Sequence, residues 1–189
     1  MKRRTFASLS TIALMLALPG CSTTSGSKTD PASKRQEIDA GVDNALNKLF
    51  ASAKSSRELA AKAQGILVFP NVLAAGVVVG GEYGEGALRV GGATAGYYST
   101  AAASFGLQLG AQSKAVIFMF MTKDSLDKFR NSKGWTAGVD GSVALAKMGA
   151  NGDVDTGSLS APVIGFVLTN AGLMANLSLV GTKVSKLDL

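Results

Sequence analysis

The spacing of apolar residues changes once along the chain, near Gly65. Before that point apolar residues recur at helical spacing, and Asp30 followed by Pro31 is typical of a helix N-cap with proline at the first helical position. Ser55 and Glu58 have the spacing of a capping box, which predicts a second, shorter helix that ends at Gly65. The apolar stripe of the first helix consists of Ile38, Val42, Ala45, Leu46, Leu49 and Phe50.

After Gly65 the apolar runs are short and bounded by glycine, and 20 of the 23 glycines lie between Gly65 and Gly181. Eight such runs at this spacing predict strands of a curved or barrel-like sheet. Thr122 is placed to cap a short helix, Lys123–Arg130. The strand candidates are Ile66–Phe69, Ala75–Val79, Ala87–Val90, Phe105–Ala111, Ala115–Met121, Val139–Ala146, Val163–Leu168 and Leu173–Val180.

The pattern as a whole predicts an α+β fold, with N-terminal helices packed on a glycine-rich, mainly antiparallel curved sheet. The run Ala115–Met121, "AVIFMFM", is apolar at consecutive positions, so both of its faces should be buried. We therefore expect it to be a central strand.

The stretch "SFGLQLGAQ" (Ser104–Gln112) alternates with period two and predicts a strand. One face is apolar, whereas the other holds small and uncharged groups that suit a close-packed, partly buried polar layer and a curving sheet. A lipid-contacting groove is the alternative for this face. Its residues are Gly106, Gln108, Gly110 and Gln112, and the glycines Gly81 and Gly84 of "GGEYGEG" are expected at further bends of the sheet.

The N-terminus has the features of an export signal. Lys2, Arg3 and Arg4 precede an apolar segment that is too short to span a bilayer, and "LPGC" then resembles a bacterial lipobox that ends at Cys21. The boundaries expected are a signal peptide over residues 1–20, a tether over 21–32 with lipidation (palmitate) at Cys21, and a domain over 33–189. Ser22 favours the outer membrane facing the periplasm, while the general secretory and twin-arginine routes both stay open.

Charge and composition narrow the function classes. Removing the three basic residues of the signal lowers the net charge from +6 to +3, which is too small a bias to argue for nucleic acid. The chain has no histidine, and Cys21 is its only cysteine. These absences remove Ser-His-Asp, Cys-His and histidine-metal sites, so we expect no catalytic residues, no metal and no cofactor.

Several ordered segments resemble the SYLF family of lipid-binding domains, which is also described as an actin-regulator family because of its fungal members. The resemblance runs from about Arg35 to the C-terminus. The segments are "GILVFPNV", "GGEYGEG", "GGATAGYYS", "SFGLQLGAQ", "FMFMT", "FRNSKGWTAGVDGSVA" and "GLMANLSLVGTKV".

The resemblance implies a non-enzymatic domain that binds acidic phospholipid. In a bacterial envelope no actin is expected as a partner, and the lipid would differ from the phosphoinositides that eukaryotic members bind. Two basic groups are candidate lipid contacts, one in the N-terminal helical stretch and one that ends beside the only tryptophan. The first consists of Lys48, Lys54, Arg57 and Lys62, and the second of Lys128, Arg130, Lys133 and Trp135.

Two functions therefore remain open for the sequence. The first is a membrane-anchored lipoprotein whose domain binds anionic phospholipid, and the alternative is an envelope scaffold that binds a protein or polymer. The N-terminal amphipathic helix could contact the membrane directly or simply pack on the sheet.

Overall fold

The computed structural model describes residues 30–106, 112–147, 154, 160–170, 172–174 and 178–189. Within these residues, three helices and eight strands form an α+β fold in which a strongly curled, mostly antiparallel sheet makes a half-barrel. The predicted fold class is confirmed.

The helices are α1 (Pro31–Ser52), α2 (Ser56–Lys62) and α3 (Lys123–Asn131). The strands are β1 (Gly65–Val90), β2 (Ala93–Gly106), β3 (Gln112–Phe120), β4 (Trp135–Thr136), β5 (Val143–Leu145), β6 (Val163–Thr169), β7 (Gly172–Leu173) and β8 (Lys183–Leu187).

The long strand β1 organises the sheet. Its first part pairs antiparallel with β3, and its second part pairs antiparallel with β2. The strand order is β4-β8-β2-β1-β3-β6-β5, with β7 also paired to β6, and β5 lies parallel to β6. Gly91 and Gly92 connect β1 to β2 with φ of 59° and 83°, the left-handed values that a two-residue hairpin turn requires.

The sheet is buried on both faces in its centre. Along β3, Phe118 and Phe120 enter one hydrophobic core, whereas Ile117 and Met119 enter a second core on the opposite face. Helices α1 and α2 cover the second core, and α3 contributes to the first. The run "AVIFMFM" is thus a central strand, as its sequence predicts.

Two helix boundaries follow their sequence signals. Helix α1 starts at Pro31 after Asp30, and the residues Ile38, Val42, Ala45 and Leu49 of its stripe are buried. Helix α3 begins after Thr122, whose Oγ1 accepts a hydrogen bond from the Ser125 amide at 3.2 Å. The predicted cap of α3 is confirmed.

The predicted capping box of α2 is wrong. The Ser55 backbone is already helical and its side chain makes no cap hydrogen bond. Its Oγ instead accepts from the Val154 amide at 3.0 Å, which links α2 to a distant part of the chain. Gly65 does not end the helix but begins β1.

The strand segmentation also differs from the prediction. The first three strand candidates form the single strand β1, which glycine interrupts without ending it. Strand β2 was not predicted over most of its length, because its alanine- and glycine-rich sequence lacks branched apolar residues. In "SFGLQLGAQ", β2 ends at Gly106 and β3 begins at Gln112, while residues 107–111 lie outside the described residues.

Candidate functional site

Helix α1 is fixed to the sheet by apolar packing and by one polar cluster. Asp39 is the centre of that cluster: its carboxylate accepts hydrogen bonds from Thr94 Oγ1 at 2.7 Å and from the Tyr97 hydroxyl at 2.8 Å. The Arg89 guanidinium lies 3.4 Å from Asp39 and 3.0 Å from Asp43. Burial, and then the hydrogen bond to Asp39, raise the pKa of Tyr97 above its ordinary value.

The apolar face of α1 is therefore used within the protein. Gly41 permits the closest approach, since a Cβ there would lie 2.9 Å from Pro70 Cγ. Of the two alternatives for this amphipathic helix, packing on the sheet is the one observed. Only its polar face is left for contact with a membrane.

A groove of about 710 Å³ opens between α1 and the sheet. Lys34 bridges its walls, because its ammonium lies 2.7 Å from Glu85 on β1 and 3.8 Å from Glu37 on its own helix. The hydrogen bond to Glu85 raises the pKa of Lys34. The buried side chains of Ile38 and Leu168 line the groove, and its other lining residues include Leu73, Tyr83, Asn44, Asn71, Asn170 and Lys48.

The predicted N-terminal basic group lies at the end of α1, in the turn and along α2. Lys48, Lys54, Arg57 and Lys62 are all exposed. Among the described residues, none of the four lies within ion-pair distance of a carboxylate. Arg57 stacks on Phe50, with its guanidinium carbon 4.7 Å from the ring centre. We call these four residues the basic segment.

The second predicted group is less available. Lys128 pairs with Asp124 at 2.9 Å across one turn of α3, and the neighbouring Lys123 pairs with Asp127 at 2.6 Å. Arg130 and Lys133 are exposed. The acidic residues of α3 therefore neutralise part of this group.

Trp135 is buried in this structure and is not exposed beside the basic residues of the second group. Its side chain is 2% exposed and packs against Phe118, Phe120 and Phe129 with ring centres 5.5 to 6.0 Å apart. The reason is that β4 pairs with β8 and directs the indole into the first core, where a large apolar ring is most stable.

The glycines expected at bends differ in their surroundings. A Cβ at Gly84 would lie 2.9 Å from the Asn71 carbonyl oxygen, whereas a Cβ at Gly81 would contact nothing within 4 Å. Gln108, Gly110 and Cys21 lie outside the described residues, and Gly106 and Gln112 are described only as backbone at the ends of β2 and β3.

Sequence reasoning missed the groove and two exposed valines. Lys34 and Tyr83 reach the groove only because α1 crosses β1, which no local pattern reveals. Val139 and Val180 are 75% and 67% exposed. Each valine stands next to a glycine, in "AGVDG" and "LVGT", which is typical of a turn. Because each valine also ends or begins a predicted strand, its exposure in a turn was not predicted.

The described part of the chain contains no cluster of three or more residues able to hold a metal ion. None of its three helices is both long enough and apolar enough to cross a bilayer.

Residues 101–188 match the family model of Ysc84, described as a Las17-binding protein actin regulator. Over these residues the chain is similar to the Ysc84 (SYLF) family, the same family that its ordered sequence segments resemble. The family is associated with lipid or actin-related binding. The match begins within β2 and extends through β8, so α1, α2 and β1 precede it. No curated protein matches the chain.

Proposed function

We propose that this SYLF protein is a non-enzymatic, lipid-anchored component of the bacterial envelope whose domain binds anionic phospholipid through the basic segment. The observation that carries the proposal is that Lys48, Lys54, Arg57 and Lys62 are exposed and lack carboxylate partners in the described structure. The association of the family with lipid binding supports the same conclusion.

The size of the electrostatic attraction defines the role of the segment. Each basic side chain near an anionic membrane surface is worth about 1 kcal/mol, so four of them give roughly 4 kcal/mol, a dissociation constant near 1 mM. Such binding is weak in solution and falls with salt. It becomes effective when an acyl anchor keeps the domain close to the bilayer, because the anchor raises the local concentration of lipid.

Vesicle flotation tests the lipid-binding role. At low salt and millimolar lipid, a chain spanning residues 30–189 should float with vesicles that contain phosphatidylglycerol, and it should not float with pure phosphatidylcholine. Replacing the four basic residues of the segment by glutamate should abolish flotation, while Lys128→Glu, Arg130→Glu and Lys133→Glu together should weaken it less. Equal flotation of the parent and the four-residue variant at low salt would exclude the basic segment as the binding surface.

The anchor has its own test. Cys21→Ala should prevent incorporation of labelled palmitate and leave an uncleaved or soluble precursor, since the thiol is the acceptor of the lipid. Unchanged labelling of that variant would contradict lipidation at Cys21. The expected location is the outer membrane, facing the periplasm, and density-gradient separation of the two membranes would test it.

The groove favours a second function, that of a scaffold for a protein or polymer. Its lysine Lys34 is already paired with carboxylates, and amide groups and the half-exposed Tyr83 line the remaining space. Of the three lysines that line the groove, Lys34 and Lys114 are paired with carboxylates, so the groove suits hydrogen bonding to a polymer better than capture of an anionic head group. Flotation that is absent for the parent, together with retention on an envelope polymer that Tyr83→Ala abolishes, would favour this alternative.

A further inference from the structure

Two exposed loop tips lie side by side at the β4–β8 end of the sheet. Val139 and Val180 occupy the turns that follow β4 and precede β8, and they are the two most exposed large apolar side chains in the described structure. The turns are in contact, since a Cβ at Gly138 would lie 3.0 Å from both γ-methyl groups of Val180. We call Val139 and Val180 the valine pair.

The turns that carry the valine pair are held in place by their own backbone. The Ala137 amide donates to the Thr182 carbonyl at 3.0 Å, and the Gly181 amide donates to the Ala137 carbonyl at 2.9 Å. The valine amides are also satisfied, that of Val139 by the Thr136 carbonyl and that of Val180 by Ser178 Oγ, both at 3.2 Å.

The pairing of these backbone amides matters because moving an unpaired amide out of water costs free energy. A loop that exposes apolar side chains while its amides are paired internally can enter an apolar phase at little cost. The tips also rest on a rigid base, because a Cβ at Gly141 would lie 3.2 Å from the buried Trp135 ring. The indole thus supports the loop rather than contacting the lipid itself.

The charged residues near the two turns indicate which kind of partner would contact the valine pair. Lys183 is exposed and pairs with Thr136 in the β4–β8 ladder, and Lys133 is exposed just before β4. Asp140, the acidic residue of the first turn, already uses one carboxylate oxygen to accept from the Thr136 amide at 2.7 Å. Two lysines and one aspartate leave a net charge of +1 around the small apolar tip, which complements an anionic lipid surface, with the valines below the head groups and the ammonium groups at their level.

We propose that the valine pair, with Lys133 and Lys183, is a second membrane contact that inserts into an anionic bilayer. A protein partner fits less well, because two valine side chains offer far less area than the roughly 1,000 Å² that a specific interface needs. The contact is separate from the basic segment, since Trp135 and Leu179 belong to the core on one face of the sheet while α1 and α2 cover the opposite face.

Tryptophan fluorescence tests the insertion on the full chain. In the parent, the only tryptophan is 2% exposed and should respond little to lipid. The Val139→Trp variant is mixed with phosphatidylcholine–phosphatidylglycerol vesicles whose acyl chains are either brominated or plain. Brominated chains should quench the added indole, and Val180→Asp in the same background should lower the fraction quenched at least about tenfold at subsaturating lipid, because a charge replaces methyl groups that would otherwise enter the apolar phase.

Leu73→Trp provides the matched control, because Leu73 is also an exposed apolar residue, at 51%, but lies in the groove beside α1. Because Lys48 of the basic segment lines the same groove, both tryptophan variants are compared with the four basic residues of that segment replaced by glutamate, and in this background the emission of Leu73→Trp should be the same in brominated and plain vesicles. Lys133→Glu with Lys183→Glu should reduce quenching of Val139→Trp, and the reduction should disappear at high salt.

Three results would overturn the inference. The first is equal emission of Val139→Trp in brominated and plain vesicles, and the second is quenching of the Leu73→Trp control as strong as that of Val139→Trp. The third is a blue shift of Val139→Trp emission that depends on protein concentration in the absence of lipid, which would identify a contact between copies of the chain. Flotation that depends on the basic segment, combined with no quenching at position 139, would leave the proposed function intact and refute only the valine pair.

Discussion

Gly86 lies in β1 directly against an earlier part of the same strand. A Cβ added there would lie 2.0 Å from the Val68 carbonyl oxygen and 2.8 Å from the Phe69 ring. Carbon and oxygen atoms that are not bonded stay more than 3 Å apart, so Gly86→Ala requires the backbone at residues 68 and 86 to separate by about 1 Å. Neither side can yield by rotating a flexible side chain, because the obstruction is main chain.

The expected cost is at the upper end of what overpacking produces, about 3 kcal/mol. Gly81→Ala is the matched control, because Gly81 lies in the same strand, also lacks a positive φ, and its added methyl would meet nothing within 4 Å. Alanine at that position should be neutral or stabilise the fold by up to roughly 1 kcal/mol, since it restricts the unfolded chain.

Urea unfolding followed by circular dichroism measures both effects. Gly86→Ala should lower the midpoint with an unchanged slope, and Gly81→Ala should leave the midpoint equal or slightly higher. For a domain of this size, the loss at Gly86 corresponds to a fall in Tm of roughly 6–12 °C. Equal midpoints for the two variants would refute the close crossing of β1 on itself.

Three further predictions concern the contacts of α1 and the first core. Asp39→Ala should destabilise the fold by about 1–3 kcal/mol in the same urea assay, because two hydrogen bonds and an ion pair are lost at once; a change no larger than that at an exposed residue such as Asp124 would contradict it. Because burial raises the pKa of Tyr97, its contribution to stability should be complete below about pH 10 and fall as the pH rises through the higher folded-state value, and Tyr97→Phe should reduce that fall above about pH 10. Trp135→Ala should cost about 3–5 kcal/mol, and iodide should barely quench the parent fluorescence; strong iodide quenching would show the indole to be exposed.

The elements that the sequence predicts best are those whose signals are local. Proline at the start of α1, the threonine cap of α3 and the two-sided apolar run of β3 all act within a few residues, and the structure confirms each of them. The glycine-rich region is harder to divide into strands. Its glycines permit β1 to bend and to pass close to itself, and they do not end the strand. The capping box failed because Ser55 takes a long-range partner instead of the helix amides.

The candidate site was predictable only in part. Charge alone located the basic segment, since exposed lysines need no tertiary partner. Trp135 was misplaced because the preference of tryptophan for interfaces competes with its value in a core, and the pairing of β4 with β8 decides between them. The positions of the exposed valines depend on the same pairing of β4 with β8. Because these two strands are far apart in the sequence, no local pattern predicts that they pair.

The two strands at the ends of the strand order, β4 and β5, both come from one short stretch of chain, Trp135 to Leu145. A single segment therefore covers β8 on one side of the half-barrel and β6 on the other. Local opening of that segment would uncover two strands at once, so amide protons on β8 and β6 should exchange with solvent together. The same arrangement limits aggregation at Lys183 and Val184 of β8 and at residues 163–165 of β6, because the strands paired with them are too short to act as a template for another chain.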